Sequence, residues 1–180
     1  EGMRNSLAAG EFYLEYQPRF DARGRHIRSA EALVRWAHPE RGRISPAEFI
    51  PLAEQNGLIV PLGDWIMRTA CETATHWHGI GVSVNVSPVQ FRDADFVQKV
   101  RDCLEETGLE PSLLELEVTE GILLEDADRA ISLLKELKKV GVTLAMDDFG
   151  TGYSSLSYLR NFPFDVIKID RSFVSDLDRK

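Results

Sequence analysis

The sequence predicts an α/β fold built on a parallel sheet or barrel, and three features carry that prediction. From Gly81 onward, short apolar runs alternate with helical stretches that close on glycine, as expected of parallel strands joined by right-handed crossovers. The runs are short and apolar, as in strands covered on both faces. Ahead of them, two β-prone runs flank a turn and read as a hairpin.

Taken in order, residues 3–10 read as a helix end or linker closing at Gly10. Phe12-Tyr13-Leu14-Glu15-Tyr16-Gln17-Pro18 is rich in aromatics and reads as a strand that Pro18 stops. Asp21-Ala22-Arg23-Gly24-Arg25 is a turn, and the second hairpin strand runs from Ile27 to Trp36. Ser45-Pro46-Ala47-Glu48 marks a helix start, with Ser as N-cap, Pro at the first helical position and Glu at the third. Asn56-Gly57 is its stop. A longer helix is expected over 61–78, then a strand over 82–86 and a helix over 93–107 that closes at Gly108. A strand over 113–119 and a helix over 126–140 that closes at Gly141 follow. The last elements are strands over 142–147 and 166–170, with a short helix over 154–161 between them.

A chain of 180 residues fits one domain with a substantial core. The formal net charge of −8 argues against a nucleic-acid polymer as partner, since that calls for a basic surface. A small anionic ligand stays open, because a metal or a local Arg or Lys cluster reverses the field within a site. Cys71 and Cys103 have neither metal-ligand spacing nor a disulfide framework, and read as free buried thiols of a reducing, cytoplasmic compartment. No apolar stretch approaches the roughly 18 residues of a membrane span, so no membrane segment is expected in this chain. A longer parent anchored to the inner membrane is compatible with that.

Strand parity points to chemistry. Ser83 and Asn85 share one face of their strand against Val82, Val84 and Val86. Glu115, Glu117 and Thr119 oppose Leu114, Leu116 and Val118, and Thr143, Ala145 and Asp147 oppose Val142, Leu144 and Met146. Lys168 and Asp170 oppose Ile167 and Ile169, while Ser29, Glu31, Leu33 and Arg35 oppose Ala30, Ala32, Val34 and Trp36. Solvent exposure of these polar faces fits poorly with parallel strands, whose faces are normally both covered. A shared interior lined by Glu31, Asn85, Glu117, Asp147 and Lys168 fits better. Carboxylates buried there must be paired or bound to metal. Oxygen donors with one amide, and no His or Cys, suit Mg²⁺ or Mn²⁺ rather than zinc. The adjacent Asp147 and Asp148 could serve two ions clamping a phosphodiester, although alone the pair reads equally as the start of a surface turn. Lys168 would orient water or stabilise phosphate charge; a Schiff-base role is the alternative, which acidic neighbours oppose.

These residues resemble the EAL-type cyclic di-GMP phosphodiesterases. The motifs are Tyr16-Gln17-Pro18, Glu31-Ala32-Leu33-Val34-Arg35-Trp36, Asn85-Val86-Ser87 and Glu117-Val118-Thr119-Glu120. Asp147-Asp148-Phe149-Gly150-Thr151-Gly152 and Lys168-Ile169-Asp170 follow, all in the family's order. The resemblance implies a modified (β/α)₈ TIM-like barrel with one antiparallel strand. It implies cyclic di-GMP as substrate, the linear dinucleotide pGpG as product and two Mg²⁺ or Mn²⁺ ions. Glu31, Asn85, Glu117 and Asp147 would hold metal, Asp148 a second ion, and Lys168 would lie near the attacking water. Gln17, Leu33 and Arg35 match substrate contacts. Glu120 matches the glutamate that anchors the glycine loop, a dimer-coupled regulatory element spanning 147–156 with Phe149, Gly150, Thr151 and Gly152.

A full barrel runs to roughly 250 residues, so the resemblance implies that the last two β/α units, with a late glutamate and a late glutamine, have no counterpart here. Residues 1–11 are then the lead-in from an upstream sensor or diguanylate-cyclase-like region, and 12–180 an incomplete phosphodiesterase domain of a homodimer. The alternative is a catalytically inactive module that binds cyclic di-GMP or another protein.

Overall fold

The computed structural model describes residues 2–150 and 162–170. Its sheet is built from β1 (Phe12–Phe20), β2 (Ile27–His38), β3 (Gly42–Ile44), β4 (Gly81–Asn85), β5 (Leu114–Thr119), β6 (Thr143–Phe149) and β7 (Val166–Ile169). The order is β1-β2-β4-β5-β6-β7, with β3 paired to β2. β1 and β3 run antiparallel to β2; the remaining pairs are parallel. The predicted α/β class with a parallel-dominated sheet is therefore what the chain adopts. Lys168 on β7 donates to Glu31 on β2 at 3.2 Å. Four inter-strand steps separate these strands, about 19 Å in a flat sheet, so the sheet is strongly curled and its inward face closes on itself.

The helices are α1 (Gly2–Ala8), α2 (Pro46–Gln55), α3 (Ile59–Ala74), α4 (Pro88–Phe91), α5 (Phe96–Thr107), α6 (Glu120–Glu125) and α7 (Ala127–Val140). The aliphatic parity of the strands meets the apolar faces of these helices. Val82, Val84, Leu114, Leu116, Leu144 and Met146 are buried with Ile66, Ala70, Val100 and Leu134 in one core. Near the start of the sheet, Phe12 stacks on Trp36 and both meet Phe49 edge-on. Gly108 and Gly141 close α5 and α7 in the left-handed conformation, with φ of 74° and 102°, which glycine adopts without a Cβ penalty. Cys71 and Cys103 are free and buried, as expected. Among the described residues no helix is long and apolar enough to cross a membrane.

Four local expectations change. Pro18 does not stop β1: it pairs with Ala30 inside a strand that continues to Phe20, and among the described residues β1 pairs with β2 alone, an arrangement that tolerates a residue without an N–H. Ser45 takes the extended N-cap conformation ahead of Pro46 but makes no side-chain cap bond. β6 runs on through Asp147 and Asp148 to Phe149, so the acids sit inside the strand. The four-residue α4 and six-residue α6 were not anticipated, being too short for a helical period to register. The helix expected over 154–161 lies outside the described residues.

Candidate active site

Strand register stacks the predicted residues on the inward face. Glu31 pairs with Ser83 across β2 and β4, Asn85 with Glu117 across β4 and β5, and Thr119 with Asp147 across β5 and β6. The side chains converge. Lys168 Nζ donates to Glu31 Oε2 at 3.2 Å, to Asp147 Oδ2 at 3.1 Å and to Glu117 Oε2. Asn85 Nδ2 donates to Glu31 Oε1 at 3.0 Å, which leaves the amide oxygen outside that bond. Five predicted residues thus form one hydrogen-bonded cluster.

Electrostatics follow from burial. Glu117 is 1% exposed. Burial pushes its carboxyl up to about 7, with Glu31 adding to the rise and Lys168 and Arg19 opposing it. Burial also works against the Lys168 ammonium, but its bonds to Glu117 and Asp147 and the charge of Glu31 outweigh that and hold it above the ordinary lysine range. An ammonium ringed by three carboxylates keeps its proton, so the Schiff-base alternative has no support here.

Asp148 is more peripheral. It stands in the left-handed region at φ 55°, its N–H donates to Asp147 Oδ1 at 2.9 Å, and burial followed by Asp147 and Asp170 raises its carboxyl. The left-handed residue coincides with a register shift against β7 between Met146 and Phe149. Glu120 is buried and accepts from the Gly150 N–H at 3.2 Å, while Phe149 packs partly buried against the core. Thr151 and Gly152 lie outside the described residues.

Beside the cluster opens a cleft of about 300 Å³. Leu33, Arg35, Asn85 and Glu117 contribute to its wall, together with Pro46 and Ile50 of α2. Arg35 is already engaged: its Nε donates to Glu15 Oε2 at 2.7 Å and its Nη1 to the Val34 carbonyl at 3.0 Å. Gln17 is exposed on β1, in register with Glu31.

A polar layer below the cluster was missed. Arg19 Nε donates to Ser29 Oγ at 3.0 Å and Nη1 to Glu117 Oε1 at 3.2 Å, while Nη2 donates to Ser83 and Glu115. Its signal was present, since Ser29, Ser83 and Glu115 share parity with Glu31, Asn85 and Glu117 two residues on. Arg19 itself becomes visible only through the hairpin register that sets it opposite Ser29.

The donor set suits a hard cation, with three carboxylates, one amide oxygen and no imidazole or thiolate. Charge agrees. The carboxyl groups of Glu31, Glu115, Glu117 and Asp147 outnumber the cations Arg19 and Lys168 within this bonded network, a balance that favours a captured cation. Among the described residues no group of three or more His, Cys, Asp or Glu forms a ready-made metal cage; the Lys168 ammonium stands where the carboxylates meet.

An uncharacterized protein of Sinorhizobium fredii is 55% identical over 178 residues, covering 98% of this chain and 22% of that protein. The cyclic di-GMP phosphodiesterase NbdA of Pseudomonas aeruginosa is 44% identical over 182 residues, covering 98% and 23%. The solved structure of the MucR phosphodiesterase in complex with c-di-GMP superposes with a TM-score of 0.94 at 43% identity, over 99% of this chain and 74% of that one. This chain spans about a quarter of the length of the curated relatives it matches. The EAL domain family model matches residues 1–180, and with those identities the chain belongs to the EAL domain family.

Proposed function

We propose that this chain carries the metal-binding core of a phosphodiesterase that hydrolyses cyclic di-GMP to the linear dinucleotide pGpG. The observation that carries the proposal is the convergence of Glu31, Glu117 and Asp147 on Lys168, with Asn85 attached, beside an open cleft. Likeness to NbdA and to the MucR complex supports the substrate class.

Glu31, Asn85, Glu117 and Asp147 would hold one Mg²⁺ or Mn²⁺ ion and Asp148 a second. Bound there, the ions supply Lewis-acid polarisation of the phosphodiester and stabilise the charge that develops on it. Lys168 holds and orients the attacking water by its ammonium, whose position the carboxylates fix. Arg35 offers its guanidinium fork to phosphate oxygens, presented by its bond to Glu15. Gln17 and Leu33 contact the nucleotide from β1 and β2. Glu120 ties the strand end at Gly150 to the site. In the whole protein, residues 1–11 connect an upstream sensor or cyclase-like region to the domain begun at 12, and the assembly is a homodimer.

The test is turnover of cyclic di-GMP by the full-length protein with Mg²⁺ or Mn²⁺, resolved by chromatography of the products. Glu31→Ala should lower kcat about 100-fold or more. Binding of cyclic di-GMP without cleavage would instead establish the inactive binding module.

A further inference from the structure

Arg19 has no part in the proposed function, yet its guanidinium, carried by β1, bonds to β2, β4 and β5. Every nitrogen of the group is bonded: Nε to Ser29, Nη1 to Glu117, and Nη2 to Ser83 and Glu115. Ser83 Oγ in turn donates to Glu115 Oε1 at 2.9 Å. The layer is mostly buried. Ser83 is fully buried, and the side chains of Glu117, Glu115 and Arg19 are 0%, 13% and 26% exposed.

These bonds divide the Glu117 carboxylate. Oε1 faces Arg19 and Oε2 faces Lys168. Glu115 alone would neutralise Arg19, so the second bond, to Glu117, is more than charge pairing. A rigid planar fork anchored at four oxygens leaves a carboxylate bonded to it little rotamer freedom. Partners of this kind behind a metal ligand set its direction.

We propose that Arg19 is a positioning residue: with Ser29, Ser83 and Glu115 it fixes the Glu117 carboxylate so that Oε2 is presented to the divalent ion. The inference rests on the reading of Glu117 as a metal ligand. In this role Arg19 acts through Glu117 and not by contact with ion or substrate.

The test is calorimetric titration of the full-length protein with Mn²⁺ in the absence of nucleotide. Wild type, Glu117→Gln, Arg19→Lys and Arg19→Gln are compared, with folding checked by circular dichroism. Arg19→Lys keeps the charge and loses the fork. Both Arg19 variants should bind Mn²⁺ about 10- to 100-fold more weakly. If Arg19 acts only as a counter-charge, Arg19→Lys will match wild type and Arg19→Gln will bind more tightly, which overturns the inference. If it is only a brace, the melting temperature will fall with Mn²⁺ affinity unchanged, which overturns it too. In both cases Glu117→Gln still loses binding and the metal reading stands. No Mn²⁺ binding by wild type, or none lost in Glu117→Gln, removes the metal reading and the inference together. Should Arg19→Gln not fold, Ser83→Ala leaves every charge in place and should weaken Mn²⁺ binding about threefold or more; an unchanged affinity there counts against the inference.

Discussion

Glu117 is where burial and chemistry conflict most sharply. Its folded-state value of about 7 lies above the ordinary 4.5. A carboxyl raised on folding stabilises through its protonated form, so its contribution is complete below about 4.5 and is lost as pH climbs to about 7. In the presence of chelator, the free energy of unfolding should therefore fall across that window by up to roughly 3 kcal/mol. Urea denaturation at pH 4.5 and 7.5 measures it, and Glu117→Gln should flatten the slope. A variant with the wild-type slope would assign the effect to another group. Asp148 makes a different prediction, from its backbone. Its φ of 55° suits Asn or Gly but strains a β-branched side chain. Asp148→Val should thus lower stability by about 1–3 kcal/mol, and Asp148→Asn by much less; equal losses in thermal melts would show that charge and not conformation decides. Legibility varied residue by residue for a physical reason. Glu31, Asn85, Glu117, Asp147 and Lys168 follow from strand parity alone, whereas Arg19 depends on hairpin register and a bulge beside Phe20, which are tertiary facts.

Among the elements, α3 and α4 make the sharpest packing test. A Cβ on Gly63 of α3 would run into the carboxamide of Gln90. Gln90 is itself buried, and its Oε1 accepts the Ser87 N–H at 3.2 Å in a capping box that starts α4. Two effects compete in Gly63→Ala. Helix propensity favours Ala over Gly by up to about 1 kcal/mol, while overpacking a filled interior costs about 1–3 kcal/mol. The side chain cannot swing away without breaking its bond to Ser87, so the clash wins. We expect net destabilisation by denaturant titration, and less than half of it when Gln90→Ala is already present. Strictly additive losses would place the strain elsewhere. Ser87 also donates to Glu54 of α2 at 2.6 Å, so this small helix ties α2 and α3 to the strand that ends at Asn85. Nothing in a four-residue stretch signals such a role, and only the packing reveals it. Glycine stops, by contrast, were legible, because Gly108 and Gly141 satisfy a backbone requirement that few other residues meet.

At the scale of the whole chain, β4, β5 and β6 are paired on both sides and carry fully buried residues such as Val82, Leu114, Leu116 and Leu144. Native-state hydrogen exchange should show amides of β5 opening last and those of the exposed turn at residues 22–25 much sooner. Equal protection in that turn and in β5 would contradict this order. The alternation of apolar runs and glycine-closed helices disclosed the parallel sheet, but its curl shows only in contacts such as Lys168 to Glu31. The excess of carboxyl groups over cations in that bonded network reaches beyond catalysis. A fold that lacks a counter-ion gains stability from any ion it captures, by mass action, and under the proposed reading the gain is about 2.7 kcal/mol at a hundredfold excess over Kd. Melting temperature should climb with the logarithm of Mn²⁺ concentration and lose that dependence in Glu117→Gln. The protein's lifetime in the cell, and not its turnover alone, would then follow the supply of divalent ions.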